Sequence, residues 1–225
     1  MKPVHKRHQL KEDALVTGAF RFWTYVQRNY KKILYGLGAL GVILIIVFAV
    51  FQINRTREQN SLQALSQARL LFQEAKYEQA IPELEAVIKN YGGTQAAKEA
   101  RYYKANALFQ LERYEDAIPA FEKAYKKGDA ITKPSALKGM GDCYMQLDKY
   151  AEAAEEYMQV ADNFSDAWVV LPSLMKAGLC YQKTGEIEKA KDVYQRVVDN
   201  YEESTYIDKA KAHLYILKKT GSDGQ

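Results

Sequence analysis

Few residues in this chain of 225 have the types and spacing that chemistry requires. There are two cysteines, Cys143 and Cys180, and three histidines, His5, His8 and His213. Two cysteines make neither a disulfide scaffold nor a multi-cysteine zinc or iron–sulfur site. In an oxidising compartment the pair could close one bridge. If they occupy equivalent sites on neighbouring helices, they lie about a helix diameter apart, roughly 10 Å, beyond the ~7 Å reach between bridged Cα atoms. The competing expectation is a pair of small buried thiols filling alanine-sized space. His5 and His8 sit in a basic tail with no completing ligand nearby, and His213 has neither a companion cysteine nor the partners of a catalytic triad. The acid-rich run from Glu152 to Glu156 is expected to be a solvated helix face, not a pair of catalytic carboxylates. No phosphate-cradling glycine loop, dinucleotide fingerprint or zinc-protease motif is present. The expectation is a protein that is not an enzyme and holds no metal or cofactor.

Charge and apolar residues are unevenly spread. Residues 1–32 carry eight Lys/Arg against Glu12 and Asp13, a balance of +6 in a chain whose total is +4. The rest sums to -2, so the basic charge belongs to an arm, which argues against nucleic acid as the partner of the body. Residues 33–51 follow, ILYGLGALGVILIIVFAVF, without a charge. As a helix they measure about 28 Å, close to the ~30 Å core of a bilayer. A cleaved signal would have a shorter apolar run and a small-x-small site; here Ala49 precedes bulky Phe51 by two residues. The lysine and arginine bias places the arm in the cytosol and residues 52–225 beyond the membrane. Phe20, Phe22, Trp23 and Tyr30, interleaved with Arg21 and Arg28, suit a helix at headgroup level; a frayed tail that only enforces topology is the plainer reading.

The elements that follow repeat. Small residues recur at Ala68, Ala105, Gly141 and Gly178, spaced by 37, 36 and 37. Twelve residues later stands an alanine each time: Ala80, Ala117, Ala153, Ala190. Three before it come Tyr77, Tyr114, Tyr150 and Ile187, and four after it Leu84, Phe121, Tyr157 and Tyr194. Leu71, Leu108, Tyr144 and Tyr181 form another column, and Val87, Ala124, Val160 and Val197 a further one. Two antiparallel helices cross closely only at small residues, and large ones three or four away fill the space on the same face. Such pairs must stack to bury their apolar faces.

This pattern resembles the tetratricopeptide repeat, a helix–turn–helix of about 34 residues with small, aromatic and alanine positions at these offsets. It covers about residues 61–200. The family's first-helix Trp is absent, its place taken by Ala64, Arg101, Leu137 and Leu174, and each unit is longer between repeats, as at Asn90–Thr94, Asn163–Ser165 and Asn200–Ser204. The resemblance implies an α-solenoid of about four helix pairs; with the transmembrane helix read from the uncharged run and a capping helix at 206–219, the expected fold is all-α. Expected bounds are 1–32 for the basic arm, 33–51 for the span, 52–60 for a linker or helix extension, 61–219 for the repeat domain and 220–225 for a disordered tail. Pro82 and Pro119 share a phase early in the second helices, where the helix ladder suffers least.

First helices line the concave wall of such a stack. The repeat phase places there Leu65, Arg69 and Phe72; Tyr102, Asn106, Phe109 and Gln110; Lys138, Asp142, Met145 and Gln146; and Met175, Leu179 and Gln182. Aromatic and methionine side chains mixed with amides suit a groove for a peptide, although some of these rings could equally pack between units. Leu65 stands where carboxylate-holding members of the family have a lysine. Arm, span and repeat body together resemble the YfgM-type ancillary subunits of the bacterial Sec translocon, which implies a scaffold in the inner membrane that meets periplasmic chaperones or emerging chains. The alternatives are envelope coordination, as in Tol-Pal or outer-membrane assembly factors, and an organelle import receptor. Partners are expected to be proteins or peptides at the groove and lipid at 33–51, with no nucleic acid and no small-molecule substrate.

Overall fold

The computed structural model describes residues 6–164, 168–201 and 204–222, with side chains placed for 16–164, 168–201 and 204–219. His5, the side chain of His8, residues 223–225 of the expected tail, and Ser165, Glu202 and Glu203 of the connections lie outside the described residues. Among those described, every regular element is helical. α1 is Lys6–Gln73, α2 Tyr77–Asn90, α3 Gln95–Gln110, α4 Tyr114–Lys127, α5 Thr132–Gln146, α6 Tyr150–Asn163, α7 Val170–Lys183, α8 Ile187–Asn200 and α9 Ile207–Ser222.

The chain divides into two compact units, residues 1–56 and 57–225. In the first, α1 is long and apolar enough to cross a membrane, and its apolar stretch is not buried in the protein. Helix continues through residues 31–33 and 52–60, so arm, span and extension are parts of one element. Phe20 and Trp23 are among its exposed rings.

In the second unit each helix packs on the next, from α2 to α9. The end of α1 pairs with α2, burying Leu65 and Ala68 with Ala80, Leu84 and Val87. First helices also touch one another, α3 against α5 and α5 against α7. The small columns are fully buried: Ala68, Ala105, Ala80, Ala117, Ala153 and Ala190. In units three and four glycine is required, because a Cβ at Gly141 would meet the Tyr157 ring at 2.7 Å, and one at Gly178 the Tyr194 ring at 2.6 Å. The ring of Phe121 uses Gly139 in the same way.

The turn inside each pair repeats as strictly as the helices. Ala75, Glu112, Asp148 and Gly185 all take positive φ, between 57 and 80°. After each, an amide bonds back to a carbonyl five residues earlier: Lys76 to Leu71, Arg113 to Leu108, Lys149 to Tyr144 and Glu186 to Tyr181. That bond closes the Schellman motif, in which a left-handed residue satisfies the last carbonyls of a helix. Only one of the four is glycine, so the turn had no glycine signature to read.

The prolines fall later than expected. With helix starts at Tyr77 and Tyr114, Pro82 and Pro119 are sixth in α2 and α4. They lie past the first turn, where each removes one ladder hydrogen bond.

Candidate peptide-binding surface

The candidate wall is built by α1, α3, α5 and α7, and its residues fall into three groups. Leu65 is 2% exposed and belongs to the core against Ala80 and Leu84. It offers no surface to a ligand and leaves the site; its column is the inward face of α1. Phe72 is half-buried, edge-on to Tyr77 at 5.1 Å and to Tyr103 at 5.3 Å, with the Arg69 guanidinium over Tyr103 at 5.4 Å. Tyr102 is half-buried with its ring 6.0 Å from Phe121, and Phe109 sits edge-on to Tyr114 at 5.4 Å. These rings therefore pack against structural rings on one side. Asn106 donates its Nδ2 to the Tyr102 carbonyl at 3.2 Å, so one end of its amide serves its own helix.

Gln110 and Gln146 are exposed, and Leu179 is exposed on α7. Met145 and Met175 are half-buried against the core edge. In the third unit the wall is charged. Asp142 accepts from Lys138 at 2.7 Å and from Lys176, on the next first helix, at 2.5 Å. The buried Tyr157 hydroxyl donates to the same carboxylate at 2.6 Å. Burial pushes the Asp142 carboxyl upward, but the two ammonium groups and their hydrogen bonds outweigh it and hold it below its ordinary value. Burial, and then Asp142, push the Tyr157 phenol far up, so it stays protonated and donates.

One unit on, Gln182 reaches the Tyr194 hydroxyl at 3.3 Å and His213 Nδ1 at 3.4 Å. The His213 ring stacks on Tyr194, centroids 4.7 Å apart and 11° between planes. His213 thus seats α9 on the end of the stack. Lys176, Tyr157 and Tyr194 were not among the expected wall residues. Their signal was present: where the ring column changes from Leu84 and Phe121 to tyrosine, two hydroxyls arrive that need polar partners, and the small column changes from alanine to glycine.

The residues set aside at first divide as well. Cys143 and Cys180 are free and buried, and burial raises their thiols to about 12 and about 11. Thiols held so far from ionisation are poor nucleophiles. Glu156 is not the solvated carboxylate expected. Its Oε2 is buried without a hydrogen-bond partner among the described residues, and burial, then Glu155 and Glu122, raise its carboxyl. No group of three or more His, Cys, Asp or Glu capable of holding a metal occurs among the described residues.

Asp142 carries a prediction. Asp142→Asn should lower stability by about 1–3 kcal/mol, because two half-buried cations and a buried hydroxyl lose their charged acceptor. A lowered carboxyl stabilises the fold above its unfolded value, near 3.8, and loses that contribution as pH falls through its folded value. The gap between wild type and variant in urea melts should be flat from about pH 5 to 8 and shrink below about pH 4. A gap that persists undiminished in acid would show that charge plays no part.

Residues 65–131 match one family model described as tetratricopeptide repeat, and residues 136–167 and 173–204 match a second with the same description. No curated protein matches the chain. Solved structures of the same fold do. MamA, from residue 41 to its end, of Desulfovibrio magneticus RS-1 is 19% identical with a TM-score of 0.57, over 72% of this chain and 86% of that one. YrrB, described as a TPR protein with an unusual peptide-binding site, is 18% identical with a TM-score of 0.54, over 71% and 76%. The pilF protein of Pseudomonas aeruginosa is 13% identical with a TM-score of 0.57, over 75% and 72%. At such identities the likeness is one of fold. Stacked helix pairs, the matched repeats and a non-catalytic fold agree: the chain is a tetratricopeptide-repeat α-solenoid protein, a module of protein interaction, with one long apolar helix on its N-terminal side.

Proposed function

We propose that the chain is a membrane-anchored scaffold that binds protein or peptide segments along its first-helix wall, from the periplasmic side of a bacterial inner membrane. The observation that carries this reading is the pairing of an unburied apolar stretch in α1 with a repeat body on the same chain. Eight basic residues precede residues 33–51, and only Arg55, Arg57 and Arg69 occur in the twenty after it, which by the positive-inside rule keeps the arm in the cytosol. A peptide is the favoured ligand class because the wall alternates half-buried apolar groups, Tyr102, Phe109, Met145 and Met175, with exposed amides. The peptide-binding site ascribed to YrrB, a protein of the same fold, is in keeping with it. The setting best matched by arm, span and body is the Sec translocon with its periplasmic chaperones; envelope coordination of the Tol-Pal or outer-membrane assembly kind is the second reading, favoured by the long connections between units.

Two measurements test it. In a background lacking Cys143 and Cys180, Lys211→Cys should react with an impermeant thiol reagent in intact cells and Thr17→Cys should not; the reverse pattern would overturn the topology. Co-purification of the full chain from mild detergent should recover translocon subunits; recovery of cell-division or outer-membrane assembly factors instead would select the second reading. Tyr102→Ala should weaken that recovery, by about 1–3 kcal/mol if the ring acts as a hot spot. If Tyr102→Ala melts as early as Tyr114→Ala with recovery otherwise intact, the ring belongs to the core alone.

A further inference from the structure

Two repeat columns carry cations in α3. The column of Ala64, Leu137 and Leu174 holds Arg101 in the second unit, and the column that reads Gln67, Met140 and Ala177 in the other units holds Lys104. Leu137 and Leu174 are core residues at 1% and 0% exposure, so Arg101 and Lys104 put cations where the third and fourth units put buried apolar groups, while the first unit has half-buried Ala64 and exposed Gln67. Burying a cation is unfavourable unless it is compensated. Lys104 is compensated by Glu85 at 2.5 Å. Among the described residues Arg101 donates only to neutral carbonyls, Ala97 at 2.9 Å and Gly92 at 3.2 Å, and partial burial lowers its pKa. A charge kept in a core column without a carboxylate is poorly explained by packing.

Arg101 and Lys104 form the floor of a groove of about 420 Å³ walled by α2 and α4. Ile81 and Ile88 line one wall, Arg113 and Lys123 the other. Arg113 is paired with Asp116 at 2.7 Å, whereas Lys123 makes no salt bridge among the described residues. Four cations face two carboxylates, both already engaged. The repeat geometry alone does not produce this. The equivalent groove one unit along, between α4 and α6, has Leu137 and Met140 as its floor, and its walls carry Glu156 and Glu122, the latter paired with Lys126.

We propose that the α2–α3–α4 groove is a second docking site, distinct from the first-helix wall, for an acidic segment of a partner protein. A carboxylate of that segment lies between Arg101 and Lys123, and an apolar neighbour rests on Ile81 and Ile88. Two of the five guanidinium N–H donors of Arg101 serve carbonyls, which leaves three for a ligand, enough for a planar two-oxygen acceptor. The planar fork of Arg101 matches the two oxygens of a carboxylate, which is the acceptor assigned to the site. The site does not depend on what the first-helix wall binds.

The test uses the full chain in lipid nanodiscs with labelled isoleucine and methionine methyl groups. The probes are acetyl-Ala-Leu-Glu-Glu-Leu-Glu-Glu-Ala-amide, the same peptide with Gln for every Glu, and one with phosphoserine for every Glu. The Glu peptide should shift the Ile81 and Ile88 methyl signals to saturation, and the Gln peptide should leave them in place. Arg101→Gln and Lys123→Gln should each weaken binding about tenfold, the effect of losing one charge-assisted hydrogen bond. Lys123 is exposed, so its variant decides the matter if Arg101→Gln does not fold. Equal shifts with the Gln peptide, shifts confined to Met145 and Met175, or no shift with the Glu peptide would each overturn the site. Tighter binding of the phosphoserine peptide would overturn the carboxylate assignment.

Discussion

Tyr157→Ala is expected to destabilise the repeat body by about 3–5 kcal/mol, the range for removing a large ring from a packed core. Tyr157 is fully buried, its ring fills the space left by Gly141, and its hydroxyl reaches Asp142 at 2.6 Å. Three further variants divide the effect. Tyr157→Phe keeps the ring and loses a hydrogen bond to a charged acceptor, at about 1.5–3 kcal/mol. Gly141→Ala drives a Cβ into the ring and should cost about 1–3 kcal/mol by overpacking. Gly141→Ala with Tyr157→Leu rebuilds the third unit on the pattern of the first, where Ala68 and Leu84 occupy the same columns. That double variant should be more stable than the sum of its single changes predicts, because the new methyl enters space the ring has left. Urea melts of these four full-length variants and of Tyr157→Leu alone, in detergent, read all of this. Strict additivity would mean that the ring and glycine columns are not coupled, and the account of why glycine stands at 141 and 178 would fail.

The same columns explain what could be read from the sequence. Helix pairing, register and the capping helix follow from residues such as Ala80, Ala117, Ala153 and Ala190, because close helix crossings tolerate little else. The site was less legible. Periodicity places a residue on a helix but not on one side of a contact, and Leu65, on the phase assigned to the wall, points into the core. Phe72, Tyr102 and Phe109 are half-buried and each leans on another ring, since an aromatic side chain is large enough to pack on one side and stay open on the other. Lys176 was missed because its partner Asp142 lies 34 residues away, on a different helix. The departure at Arg101 was visible as a missing Trp, but only the groove around it shows a cation in a core column as something more than a substitution.

The largest effect is expected in α1, where Val42→Lys with Ile46→Lys should abolish membrane retention. Residue 42 is the midpoint of the uncharged run 33–51, and both side chains are exposed from the protein. Insertion scales assign about 2.5–3.5 kcal/mol to one lysine at the centre of a spanning helix, so the pair amounts to about 5–7 kcal/mol, against a helix held by apolar burial alone. Ile53→Lys makes the matching control. It sits beyond the run, where a long ammonium side chain reaches the interface, and it should leave retention unchanged. Flotation of cell membranes in a density gradient separates the outcomes. Wild type and Ile53→Lys should float with lipid and the double-lysine chain should not. An antibody epitope added before residue 1 distinguishes an anchor from a cleaved signal, since it stays with the repeat body only if residues 33–51 remain attached. Flotation of the double-lysine chain at the wild-type level would place the anchor elsewhere, and the uncharged stretch of α1 would then require a protein partner to cover it.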